Sequence, residues 1–212
     1  MICVSIAEPT YAKIRNALRG VDFAEIRLDS AELTLAQIRR LFSQPGKLIA
    51  TCRPGRKTEG QRKREILTAV ASGADYVDIE LDAPPRYRRD IVHAAGQNTC
   101  KVIISHHDYE RTPAVSELKA IFLRCFRHGA DIAKIACKVR SQADCARLLA
   151  LYERTDNIIA LGMGRKGRIT RVAAPLLGAP FTYVARTLQR KTAEGQMNRI
   201  QLKKILDVLG HE

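Results

Sequence analysis

Short apolar segments alternate along the chain with longer stretches whose hydrophobic positions recur at helical spacing. Ile2–Ile6 precedes Tyr11–Leu18, Phe23–Leu28 precedes Leu35–Phe42, and Leu48–Cys52 precedes Arg62–Ala71. The pattern continues with Tyr76–Leu81 and Arg86–Ala95, Lys101–Ser105 and Val115–Arg127, and Ile132–Cys137 and Gln142–Tyr152. Ile158–Leu161 with Thr170–Leu177, and Phe181–Val184 with Asn198–Leu209, complete it. The beat of about 25 residues predicts eight strand–helix units.

Strands that alternate with helices form a parallel sheet with right-handed crossovers. Eight such units with no linker between them predict a closed (β/α)₈ TIM barrel, a single α/β domain over residues 1–212. Gly73-Ala74-Asp75 and Gly129-Ala130-Asp131 stand at equivalent places before the fourth and sixth strands, each a helix-ending glycine turning into the next strand. In such a barrel the reacting groups sit at the carboxyl ends of the strands.

Composition fits this reading: of 212 residues 46% are hydrophobic and 27% charged, ordinary for a globular chain. The apolar runs are far shorter than the roughly 20 residues of a membrane span. Met1–Ile6 is strand-like with no leader pattern, which predicts a cytoplasmic protein. Six cysteines include no Cys-x-x-Cys pair and most lie in apolar segments, so buried free thiols are expected. The net charge of +14 suits a nucleic acid or an anionic small molecule. Scattered basic residues, no Trp and 5% aromatics argue against a specific nucleic-acid reader.

Several polar residues interrupt segments that should be buried. Lys134 lies within Ala130–Ala136, where an unpaired interior ammonium is costly and a neutral amine is a nucleophile toward carbonyls; a strand-ending lysine or a carboxylate partner are the structural alternatives. His107 ends the neighbouring fifth strand, and by alternation only one of His106 and His107 faces the barrel mouth. No third ligand at metal-binding spacing accompanies them. Glu25, Arg27 and Asp29 share one face by the period of two, expected to point inward as ion pairs or ligand contacts. Arg53, Arg171 and Arg186 stand near strand ends, where guanidinium groups converge on a carboxylate. Gly162–Arg168 reads either as a phosphate-cradling loop or as a tight turn, and Lys138 as a lysine starting the next helix. The polar segment Lys191–Gln196 is long enough to cover the mouth.

Taken in order, these residues resemble the type I 3-dehydroquinate dehydratases over nearly the whole chain. The resemblance rests on Glu25-Ile26-Arg27-Leu28-Asp29, Thr51-Cys52-Arg53, Glu59-Gly60 and Asp78-Ile79-Glu80-Leu81. It continues through His106-His107-Asp108-Tyr109, Gly129 to Ala136 with Lys134, Met163-Gly164 through Gly167 to Arg171, and Glu194-Gly195-Gln196. The stretch between Arg53 and Glu59 is longer than the family pattern.

The resemblance implies a lyase of chorismate and aromatic amino acid biosynthesis that converts 3-dehydroquinate to 3-dehydroshikimate and water without a cofactor or metal. By it, Lys134 matches the Schiff-base lysine, His107 the general acid and base, and Glu59 the acid that orients His107. Arg171 matches the arginine holding the substrate carboxylate, while Glu25, Arg27 and Arg53 match groups around the ring hydroxyls and the imine, and Ser5, Thr192 and Gln196 complete the mouth. A homodimer is implied, with no membrane or specific nucleic-acid partner. A class I aldolase shares the lysine chemistry and differs in needing a phosphate nest, and a basic nucleic-acid-binding protein without catalysis is the reading from another class.

Overall fold

The computed structural model describes residues 1–154, 157–186 and 194–210. Eight strands, β1 (Ile2–Ile6), β2 (Phe23–Arg27), β3 (Lys47–Thr51), β4 (Tyr76–Glu80), β5 (Lys101–Asp108), β6 (Ile132–Lys138), β7 (Ile158–Met163) and β8 (Thr182–Ala185), alternate with eight helices. The helices are α1 (Tyr11–Leu18), α2 (Leu35–Phe42), α3 (Glu59–Val70), α4 (Pro85–Gln97), α5 (Val115–Arg127), α6 (Gln142–Leu149), α7 (Arg168–Leu176) and α8 (Arg199–Val208). The predicted (β/α)₈ architecture is the observed one.

Helix starts are written locally. Thr34, Thr58, Ser141 and Asn198 each accept a bond from a backbone N–H three residues on, and the side chains of Gln37, Gln61, Asp144 and Gln201 return a bond to the cap. Such reciprocal capping satisfies N–H groups that a helix leaves open, typically about 1 kcal/mol per cap. The predicted helix Gln142–Tyr152 instead ends at Leu149 and continues as a 3₁₀ helix, Ala150–Arg154.

The strands run parallel in the order β7-β6-β5-β4-β3-β2-β1-β8. Among the described residues no ladder joins β7 to β8, so the barrel is nearly closed. The edge of β7 is covered another way: the Ala160 N–H donates to the Tyr152 hydroxyl and the Gly162 N–H to Thr170 Oγ1, both at 2.7 Å. Strand β5 runs past its apolar segment Lys101–Ser105 through His107, read from sequence as its end, to Asp108, because pairing with β6 continues through His107 opposite Ala136 and Asp108 opposite Cys137. This extension carries His107 to the mouth.

Inside the barrel, aromatic rings fill the lower end. Phe181 meets Phe23 edge-on at 4.8 Å between centroids and Tyr76 at 5.6 Å, with Tyr183 above at 5.4 Å. These contacts combine area burial with favourable ring geometry. Higher in the same interior the side chains turn polar, and that change of layer positions the site.

Candidate active site

At the carboxyl ends of the strands lies a pocket of about 350 Å³ lined in part by Glu25, Arg53, His107, Lys134, Arg171 and Gln196. Leu161, Met163 and Ala136 give one wall an apolar surface. A small ring with polar substituents fits such a mixture.

Lys134 is buried, and its amine is not left alone. Nζ donates to Asp78 Oδ2 at 2.8 Å, lies 3.6 Å from Glu25 Oε1, and stands 4.0 Å above the centre of the Tyr183 ring. Each carboxylate is held by further donors: Ser5 and Thr51 hydroxyls donate to Glu25, and Ser105 Oγ and Arg53 Nη2 contact Asp78 Oδ1 at 2.6 and 2.8 Å. Burial alone would raise both acids. The Lys134 and Arg27 cations outweigh it at Glu25, and Arg53 and Lys134 outweigh it at Asp78, so both carboxyls are held below their ordinary range. The lysine is thereby fixed between two ionised groups.

His107 faces the same pocket, whereas His106 on the opposite face of β5 does not line it. Burial, then the Arg53 and Lys134 cations, push the His107 imidazole well below its ordinary value, which favours the neutral base. Tyr109 stacks over it at 6.0 Å and 13°.

Arg171 projects from α7 and is buried. Its Nη1 reaches the Tyr183 carbonyl at a long 3.5 Å and its Nε has no partner, while burial pushes the guanidinium down to about 10. A desolvated cation with no carboxylate among the described residues is costly until an anion joins it. Gln196 is buried at the same rim. The segment carrying it is held by a bond from the Gly164 N–H to the Glu194 carbonyl at 3.1 Å and by an ion pair between Lys138 and Glu194.

Some sequence expectations need correction. β2 ends at Arg27, so Asp29 leaves the strand face; it sits in a 3₁₀ turn, Leu28–Ser30, and grips Arg27 through two bonds of 3.0 and 2.7 Å. Glu59, expected beside His107, is exposed in the first turn of α3. Lys57 is the residue that turns inward, to the Leu28 carbonyl and both Glu65 oxygens, all at 2.7 Å, while Thr58 caps the helix and Glu59 begins it. The carboxylate near His107 is Glu80, whose Oε1 lies 3.9 Å from Nδ1. Arg186 turns away from the pocket to the Asn16 carbonyl at 3.2 Å. Thr192 lies outside the described residues.

Gly162–Arg168 is a tight turn. The N–H groups of Gly162, Gly164 and Gly167 are spent on Thr170, Glu194 and Gly164, and a Cβ on Gly167 would meet the Gly162 carbonyl carbon at 2.5 Å. No phosphate nest is offered by those three donors. Lys138, read from sequence as an ordinary helix lysine, is the last residue of β6 and lines the pocket. Asp78 and Glu80 received no role from the sequence, although charged residues alternating at the end of a buried strand are the same signal that marks Glu25 and Arg27.

A (β/α)₈ barrel that gathers a lysine, a histidine and an uncompensated arginine around one pocket at its catalytic end defines an enzyme for a small anionic substrate. The chain belongs to the type I 3-dehydroquinase family, whose model matches residues 2–212. It is a lyase of the shikimate pathway by that membership. The 3-dehydroquinate dehydratase of Methanosarcina barkeri is 38% identical over 213 residues, covering 92% of this chain and 88% of that protein. The corresponding enzyme of Methanosarcina acetivorans is 34% identical over 99% of this chain and 94% of its own. Among solved structures, 3-dehydroquinate dehydratase from Geobacillus kaustophilus superposes with a TM-score of 0.88 at 27% identity, over 99% of this chain and 90% of that one.

Proposed function

We propose that this barrel, acting as one catalytic domain over residues 1–212, dehydrates 3-dehydroquinate to 3-dehydroshikimate through an imine on Lys134. The observation that carries the reading is the buried Lys134 amine sharing a pocket with the neutral-leaning His107 and the unpaired Arg171. Arg171 takes the substrate carboxylate, aided by Gln196. Arg27, Arg53, Glu25 and Ser5 hold the ring hydroxyls and the region of the imine, with Thr192 assigned to the mouth by resemblance.

Lys134, oriented by the Asp78 carboxylate it contacts, attacks the ketone as the neutral amine, and the proton given up by its ammonium goes to the carbonyl oxygen. The C–N bond forms, the oxygen takes a second proton from the nitrogen and leaves as water, and the resulting iminium acidifies the adjacent C–H. His107 takes that proton, and the electron pair expels the ring hydroxyl, which leaves with the proton from the imidazolium. Water then hydrolyses the product imine and frees Lys134. No step calls for a cofactor.

Borohydride trapping tests this: incubation with 3-dehydroquinate and borohydride should give a reduced adduct by intact mass on the wild type and none on Lys134→Ala. Absence of both adduct and dehydration in the wild type overturns the reading.

The cytoplasm is the proposed location, supported by six buried free cysteines suited to a reducing compartment. A homodimer is proposed on the exposed apolar side chains grouped on and beside α7 and α8, among them Ile169, Leu176, Ile200 and Val208. Sedimentation velocity of the wild type and Val208→Glu checks it, a monomeric wild type being the contrary result.

A further inference from the structure

The imidazole of His107 has a buried Nδ1 with no hydrogen-bond partner. Such an atom is rare in a folded protein and calls for a partner nearby. Around it stand Arg53 from β3, Asp78 and Glu80 from β4, Lys134 from β6, and His106 and Tyr109 beside it on its own chain segment. Of these, the group within reach of Nδ1 is Glu80, its Oε1 3.9 Å away and itself 3.8 Å from Arg53 Nη1. Asp78 is otherwise occupied by Lys134, Ser105 and Arg53.

Building on the reading of His107 as general base, we infer that Glu80 is its positioning residue, accepting the Nδ1–H and leaving Nε2 as the basic nitrogen. Glu80 alternates with Asp78 on β4, so one strand serves both halves of the chemistry: Asp78 meets the lysine and Glu80 the histidine. Contacts of this kind are often long in an empty site and tighten when substrate is bound. A carboxylate on Nδ1 fixes the tautomer and ring orientation and stabilises the imidazolium that forms when the proton is taken. Arg53 holds the carboxylate from the other side. Glu59, exposed at the start of α3, stands in none of these contacts.

Glu80→Gln, Glu80→Asp and Glu59→Gln are compared with the wild type by dehydration kinetics across pH and by borohydride trapping. Glu80→Gln should lower kcat about 10- to 100-fold with KM within about threefold, since the lost contact acts on proton transfer. Its acidic limb should move to lower pH, because removing the carboxylate withdraws support from the imidazolium. Trapping at Lys134 should persist, and Glu80→Asp should recover part of the rate. Glu59→Gln should cost less than Glu80→Gln. The inference is overturned if Glu80→Gln keeps the wild-type limb and kcat, if its loss lies wholly in KM as a role confined to Arg53 would give, or if Glu59→Gln loses as much. A wild type that neither dehydrates nor traps overturns instead the functional reading on which this one rests.

Discussion

Lys134 Nζ and Asp78 Oδ2 meet at 2.8 Å across the barrel interior, from β6 to β4, over the intervening strand β5. The carboxylate is thus in contact with the amine proposed as the nucleophile. Asp78→Asn keeps the shape and removes the acceptor charge. It should lower kcat by at least tenfold and reduce stability by about 3–5 kcal/mol, the cost of breaking a buried pair that also serves Arg53. Steady-state kinetics and urea unfolding check the two effects.

Arg171 should show the opposite sign in stability. Its buried guanidinium has no carboxylate partner among the described residues, so Arg171→Met removes a desolvated charge and should raise stability by about 1–2 kcal/mol. The same change should raise KM for dehydroquinate at least tenfold, through loss of a charge-assisted contact. Unfolding and kinetics on one preparation compare the two.

Folding and acidity are linked through His107. Its folded value lies below the ordinary 6.5, so the unfolded chain binds the proton more readily. The contribution of this group is intact above about pH 6.5 and declines as pH falls below it, by up to about 1.4 kcal/mol per pH unit. Asp78 acts lower: its carboxyl is depressed, so its contribution holds above 3.8 and is lost only on further acidification. Urea unfolding of the wild type and His107→Leu between pH 8 and pH 5 checks this, with a flatter dependence expected for the variant.

Gly195 has φ +86°, and a Cβ there would lie 2.3 Å from the Gly164 carbonyl oxygen. Gly195→Ala must shift the segment that carries Gln196, and a left-handed alanine adds about 1–2 kcal/mol of backbone cost. KM should rise several-fold while kcat changes less. Wild-type KM for this variant would mean the close approach of the two loops does not position the rim.

The architecture was legible because parallel strands buried on both faces read as short apolar runs, and Lys134 was legible because it breaks one of them. Glu25 and Arg27 stood out for the same reason. Positions beyond the strands were read less well. Asp29 departs from the alternation because β2 ends two residues earlier, and Glu59 falls in the first turn of a helix whose approach is set by Lys57 contacts to Leu28 and Glu65, which spacing does not encode. Arg171 reaches the pocket from a helix, while Arg186, nearer to a strand end, points elsewhere. The glycines of the seventh loop look alike in sequence whether they cradle an anion or one another; which N–H groups are already spent decides it.

The ring stack of Phe23, Tyr76 and Phe181 makes the reaction chamber a cul-de-sac. Among the described residues the pocket opens at the strand ends, and product leaving that way occupies the path its successor needs. Product and substrate therefore exclude each other, and the rim that admits a molecule also sets how soon the next one follows.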